Sequence, residues 1–464
     1  MNSKKFSNSL GDIDESYVNE AITYKPNKKS KPWIRWVSLA ACLCIIASAS
    51  FTAYKKGWFS TTVENPNEWS PSAVQIQNLM EGVTPNRVTP LDNLSQNNTS
   101  ATDFALRLFK QANEDGESTL ISPLSVLYAL AMTVNGAEGE TRAQMEKAIG
   151  MSAEELNIYL YSYMSALPQG EKYKVGIANS IWISEEKRFS PNQSFLQANA
   201  DYLGADIYNA KFNEQTLNNI NDWVNNKTDG AIPRVLNEIS EDAIMYLINA
   251  LIFEAEWSNE YTKQDVSNGK FTKEDGTTQT VEFMYSTEHS YIEDENATGF
   301  IKYYNSSKYA FVALLPNEDV TVSKYLSTLD GKSISELLKN KKPITVKAAM
   351  PKFEVEYDNE MSSILKLMGI TDAFDRSRAD FDGMGKSDGG NIYINRVIHK
   401  TYIKVSEKGT KAGAVTSVEV QVEGIEPIPK EFKTVHLDRP FVYMIIDCEN
   451  NIPLFMGTMM DVKG

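Results

Sequence analysis

Two sets of residues in this chain have types and spacing that suggest chemistry. Gly385-Lys386-Ser387-Asp388-Gly389 fits the Gly-x-Ser-x-Gly spacing of a hydrolase nucleophile elbow, in which a sharp strand-to-helix turn exposes the serine. Here the pentapeptide follows the polar run Arg376 to Asp382 and precedes the strand-like Asn391 to Val397, the reverse of that order. A surface turn is expected instead. His399 lies in an apolar strand-like stretch, and no spacing joins it to a nucleophile and an orienting acid. With His289, His399 and His436 as the only histidines, and no Cys-x-x-Cys or His-Glu-x-x-His pattern, a metal site is not expected. No cofactor is expected either, and the chain does not read as an enzyme.

A different property marks the residues after His399. Tyr402 to Val405 has the β-branched and aromatic content of a strand and stops at Glu407-Lys408-Gly409, where a turn should follow. The chain then runs through small and β-branched residues with no proline until Pro427. At a period of two, Thr410, Ala412, Ala414, Thr416, Val418, Val420 and Val422 share one face, while every charge lies on the other. Such a segment is either the long tip of an edge hairpin or a loop able to join a sheet as a central strand. Periodicity alone leaves both open.

The wider pattern resembles the serpins. His399-Lys400-Thr401, the run Glu407 to Ala414, and Leu437-Asp438-Arg439-Pro440-Phe441-Val442 are similar to that family's hinge and C-terminal signature. Ile121-Ser-Pro-Leu-Ser125, Gly136 to Thr141, Asn221-Asp-Trp-Val224, Ile248-Asn-Ala250 with Trp257, Met350-Pro-Lys-Phe353, Leu367-Met-Gly-Ile370 and Pro453 to Thr458 resemble further family segments, in family order. The resemblance spans roughly Ala101 to Gly464. It implies an α+β fold with a large central mixed β-sheet, further β-sheets, about eight to nine helices and an exposed reactive-centre loop.

The resemblance also implies sites. Ser122, Ser125, Asn249 and His399 would form a polar shutter under the strands that part when the loop inserts. Trp257, Lys352 and Glu407 would form the breach at the top of the sheet. The hinge would be Glu407, Gly409, Thr410, Ala412, Gly413 and Ala414, with slim inward groups suited to rapid insertion and Gly413 and Val415 departing from the family's alanine-rich run on the outward face. Counting from Gly409 puts the reactive bond at Glu423-Gly424. Counting back from Arg439-Pro440 reaches Pro429, so the cleavage site is bounded only within about Val420 to Ile428.

The implied function is trapping of a target serine protease, with a cysteine protease as the other target class. The target would cleave the loop as a substrate and be held as an acyl-enzyme while the loop inserts. Thr410 to Val422, at about 3.3 Å per residue, reaches roughly 40 Å. About a dozen new ladder hydrogen bonds at ~1 kcal/mol each give on the order of 10 kcal/mol before ordering costs. The alternative is a non-inhibitory, serpin-like cell-surface binding module.

Composition bounds the rest. A chain of 464 residues, 42% hydrophobic and 10% aromatic, can bury a large core. A formal charge of −15 without basic patches excludes nucleic acid as a partner, and a monomer is expected. Of Cys42, Cys44 and Cys448, the first two fall in an apolar run, so the globular part has no disulfide partner for the third.

Four segments follow in order: a polar and basic cytoplasmic tail at 1–35, a transmembrane signal-anchor helix at 36–54, an extracellular linker at 55–100 and the serpin-like domain at 101–464. Lys25, Lys28, Lys29, Lys31 and Arg35 precede about 19 uncharged residues, long enough to span a bilayer. Trp33, Trp36, Tyr54 and Trp58 flank them as an interfacial belt. The basic excess places the N-terminus in the cytoplasm and the domain outside. A cleaved signal peptide, giving a secreted protein, and a lipoprotein built on Leu39-Ala40-Ala41-Cys42 are the alternatives. Within the linker, Ala73 to Met80 has some helical spacing, and the stretch either docks on the domain or marks its true start.

Inside the domain, Phe104 to Phe109 and Leu124 to Val134 read as helices, the second buried and capped by Ser122 ahead of Pro123. Leu217 to Val224 also reads as helical. Ile177 to Ile183, Tyr246 to Phe253, Ala310 to Leu315, Ile344 to Met350, Phe441 to Ile446 and Leu454 to Met460 read as strands.

Overall fold

The apolar runs of the sequence become strands, and three of them, residues 177–183, 246–253 and 402–405, enter the sheet that holds the hinge. The computed structural model describes residues 76–167, 170–240, 243–410 and 432–462. Its central sheet has seven strands: β1 Ile76–Asn78, β2 Tyr173–Ser184, β3 Asp206–Ala210, β4 Met245–Glu256, β5 Phe353–Glu360, β6 Arg396–Ser406 and β7 Gly409–Thr410. Their spatial order is β1-β3-β2-β4-β7-β6-β5.

The register of this sheet is uneven. Strand β4 pairs antiparallel with β2 along its whole length, from Tyr173↔Ala255 to Ile183↔Met245. On the far side, β5 and β6 pair antiparallel from Phe353↔Val405 to Glu360↔Ile398. Between these two blocks, β4 and β6 are parallel and meet only from Arg396↔Tyr246 to His399↔Asn249. Above that point the contact is made by β7, which folds back from β6 and pairs antiparallel with β4 through Gly409↔Glu256 and Thr410↔Ala255.

A six-stranded sheet, including Ala297–Tyr303, Tyr309–Pro316, Phe441–Asp447 and Ile452–Met459, lies in the same buried core as the four-stranded sheet of Phe432–His436, Thr345–Pro351, Thr278–Glu288 and Val266–Thr272. The described residues contain nine α-helices. Two of them concern the site: α1, Ser95–Ala112, and α2, Pro123–Val134. All 12 residues of α2 are buried. Pro123 starts the helix and the Ser122 side chain accepts a hydrogen bond from the Ser125 amide at 3.3 Å, so the cap expected from the sequence is present.

Two local expectations differ from the structure. The Ala73 to Met80 stretch contains a strand, not a helix, because Ile76–Asn78 pairs through its backbone with Ala210 to Tyr208 at the sheet edge. This strand and the start of α1 at Ser95 lie within the 55–100 segment assigned to the linker. The strand expected from Asn391 begins only at Arg396. Asn395 takes the place of a ladder residue, its side-chain oxygen accepting from the amides of Ile244 and Met245 at 2.6 and 3.3 Å.

Candidate functional site

Between the pairs Thr410↔Ala255 and His399↔Asn249, no described residue pairs with the facing edges of β4 and β6. Residues 250–254 are paired on their other side with β2, and residues 400–404 with β5. The result is a slot in the middle of the central sheet. Because β4 and β6 run parallel, a strand antiparallel to both fits between them, and β7 already has that direction.

The foot of the slot is polar and sealed. His399 Nε2 accepts from the Ser122 amide at 3.1 Å, and Ser125 Oγ lies 3.5 Å from His399 Nδ1. Ser125 Oγ also donates to Asn249 Oδ1, and Asn249 Nδ2 donates to Asn179 Oδ1. Ser122, Ser125, Asn249 and His399, predicted from the sequence as one cluster, are thus brought together where β4 and β6 separate. Burial pushes the His399 imidazole down to about 3, so the ring is neutral near pH 7.

The ring's hydrogen bonds do not make a nucleophile–base pair of Ser125 and His399. Nε2 accepts the Ser122 amide, so the proton is on Nδ1, facing Ser125 Oγ; a base would have to accept there. Ser125 and His399 are only 2% and 1% exposed. Ser387 is elsewhere, in the short strand Gly385–Ser387 paired with Phe189–Pro191, and its hydroxyl donates to the Lys187 carbonyl at 2.8 Å. Among the described residues no group of three or more candidate ligands is placed to hold a metal ion.

The head of the slot holds the hinge in place. Lys352 Nζ lies 2.6 Å from Glu407 Oε1 and 3.0 Å from Glu282 Oε2. Burial is the largest single influence and works to raise the Glu407 carboxyl, but the hydrogen bond from Lys352, a backbone hydrogen bond and the lysine's charge together leave the group below its ordinary value. Trp257 donates from its backbone to the Lys408 carbonyl at 2.9 Å and from its indole to the Ser406 carbonyl at 2.8 Å. Its ring stacks on Tyr304 at 4.3 Å, and the Tyr304 hydroxyl is 2.6 Å from Thr410 Oγ1.

At Gly409, with φ of +151°, a Cβ would stand 2.0 Å from the Ala255 carbonyl oxygen, so only glycine fits. Thr410, the first inward-facing hinge residue, is 1% exposed. Trp257 and Lys352 are thus both placed on the hinge turn, Lys352 at the Glu407 carboxylate and Trp257 at the carbonyls of Ser406 and Lys408. The remaining hinge residues Ala412, Gly413 and Ala414, and the reactive bond Glu423-Gly424, lie outside the described residues, as does the 36–54 segment. No helix among the described residues is long and apolar enough to cross a membrane.

The family model described as Serpin (serine protease inhibitor) matches residues 99–462. This chain belongs to the serpin family. Curated relatives include the human leukocyte elastase inhibitor, 29% identical over 386 residues, which cover 78% of this chain and 99% of that protein. An uncharacterised serpin-like protein of Thermococcus kodakarensis is 30% identical over 372 residues, covering 78% and 84% of the two chains. Among solved structures, the thermophilic serpin tengpin in its native state is 49% identical, with a TM-score of 0.80 over 84% of this chain and 100% of that one. Its latent state gives a TM-score of 0.72 over 81% and 100%, at 48% identity.

The sequence reading of this serpin missed four partners. Asn179 could have been found as a polar residue inside the apolar run Ile177 to Ile183, since a buried amide needs a partner. Tyr304, Glu282 and Tyr261, whose amide donates to the Glu407 carbonyl at 3.0 Å, reach the site from other sheets and loops, and no local pattern marks them.

Proposed function

We propose that this serpin is a suicide-substrate inhibitor of serine-type endopeptidases acting outside the cytoplasm, with cysteine proteases as the second target class. The observation that carries the proposal is the slot between β4 and β6, headed by two hinge residues already paired in the direction a further strand would take.

The target's nucleophile attacks the carbonyl carbon before the scissile bond. An acyl bond to the enzyme forms, the C–N bond breaks, and the new amine takes up a proton and leaves. The arm beginning at Thr410 then adds as a strand between β4 and β6; serpin loop insertion is an established case of strand addition and released strain. From Ala255 to Asn249 the slot is roughly 20 Å long at about 3.3 Å per residue. Beyond it, insertion must part the pairs from His399↔Asn249 to Arg396↔Tyr246, which is why the buried polar cluster sits at the mechanical fork.

Glu423-Gly424 as reactive bond suits a glutamyl-specific endopeptidase. Val420 or Val422 suits an elastase-like or subtilisin-like enzyme, the former in keeping with relatives named for leukocyte elastase. The proposal also holds the domain outside a membrane through residues 36–54, on the strength of the basic residues that precede them.

The test is incubation of the chain with proteases of these specificities, followed by denaturing electrophoresis and sequencing of the released C-terminal peptide. An SDS-resistant adduct with cleavage within 420–428 is expected. Clean turnover without adduct would favour the non-inhibitory binding module.

A further inference from the structure

Beneath the aromatic residues that grip the hinge lies a buried ion pair. Lys302, on strand Ala297–Tyr303, is 2% exposed at its side chain and lies 2.9 Å from Glu288 Oε1, which is 11% exposed and ends strand Thr278–Glu288. These strands belong to different sheets. Lys302 Nζ also donates to the Asn259 carbonyl at 3.2 Å and stands 5.3 Å from the Trp257 ring centre and 4.3 Å from that of Tyr261. On the acid side, Ser286 Oγ donates to Glu288 Oε1 at 2.7 Å and lies 3.3 Å from the Tyr261 hydroxyl.

Both aromatic residues bind the hinge backbone. The Trp257 amide donates to the Lys408 carbonyl at 2.9 Å, and the Tyr261 amide to the Glu407 carbonyl at 3.0 Å. A buried charge pair is a poor source of stability compared with apolar packing, but its geometry tolerates few alternatives. An ammonium held by two oxygen acceptors and two ring faces ties the rings to one position.

We propose that Lys302 and Glu288 are positioning residues that lock Trp257 and Tyr261 against the hinge carbonyls of residues 407 and 408, and so keep the slot closed to a strand until the loop is cut. The last step rests on the inhibitory reading above; the positioning itself does not.

The test compares the full chain with the double variant Lys302→Met, Glu288→Leu, which keeps the volume filled, and with Glu288→Gln, which leaves the ammonium unpaired. Hydrogen exchange at the Trp257 and Tyr261 amides should quicken by about ten-fold or more in both variants, with α2 unchanged. Uptake of a synthetic peptide of sequence Thr410 to Val422 should be faster in both. Unchanged exchange at these two amides, or an equal rise throughout the chain, overturns the proposal. Pair-dependent exchange in a chain that never takes up the peptide supports the positioning and counts against the inhibitory reading.

Discussion

Lys352 Nζ stands 2.6 Å from Glu407 Oε1, so the residue that opens the hinge is tethered by charge to the residue joining strand Thr345–Pro351 of the four-stranded sheet to β5. Glu282 shares the same lysine at 3.0 Å. Replacing Glu407 by lysine puts two ammonium groups at the head of the slot. Glu407→Lys should therefore raise the rate at which intact chains link or self-insert on mild heating by about ten-fold, the factor that a barrier lowered by ~1.4 kcal/mol would give. Native gels after timed heating measure it; a rate equal to wild type would refute the tether.

Gly409 cannot carry a side chain without displacing the Ala255 carbonyl. Gly409→Ala should lift β7 from β4 and cost the intact form about 1–3 kcal/mol. Limited proteolysis around residues 406–410 should become faster. An unchanged unfolding midpoint would mean that the hinge is not held as described.

Thr410 is buried with its hydroxyl on Tyr304. Thr410→Arg puts an unpaired guanidinium where insertion begins, and burial of such a charge costs several kcal/mol. The variant should be cleaved by the target with little adduct, so that moles of inhibitor consumed per mole of trapped protease rise about ten-fold or more. Trapping at the wild-type ratio would contradict this.

His399 is neutral when folded because burial depresses it to about 3 from an ordinary 6.5. The unfolded chain therefore binds the proton first as pH falls. Stability from this group is complete above pH 6.5 and is lost progressively between 6.5 and 3, by about 1.4 kcal/mol per pH unit. Denaturant unfolding should show wild type losing stability relative to His399→Gln by about 1.4 kcal/mol for each pH unit from 6.5 down towards 3. A difference independent of pH would show that the ring is not sealed.

The fold was legible where burial imposes a pattern. Apolar runs such as Tyr246 to Phe253 and Phe441 to Ile446 become central strands, and the Ser122-Pro123 cap announces α2. The polar cluster of Ser122, Ser125, Asn249 and His399 came from family likeness, and the structure places the four within reach of one another. Strand Ile76–Asn78 was not legible, because it is held by backbone pairing at an edge while the side-chain spacing around it is helical. The Lys302–Glu288 pair was not legible either: its partners come from two sheets, and sequence spacing has no bearing on which strands of separate sheets meet.

The proposed trap requires the intact chain to be metastable and a cut loop to complete the sheet. Cleaving the loop with a non-target protease and comparing thermal unfolding of cut and intact protein tests it directly. Loop insertion worth on the order of 10 kcal/mol should raise the midpoint by about 20 °C or more. A cleaved form that melts with the intact one would show that the slot between β4 and β6 receives no strand.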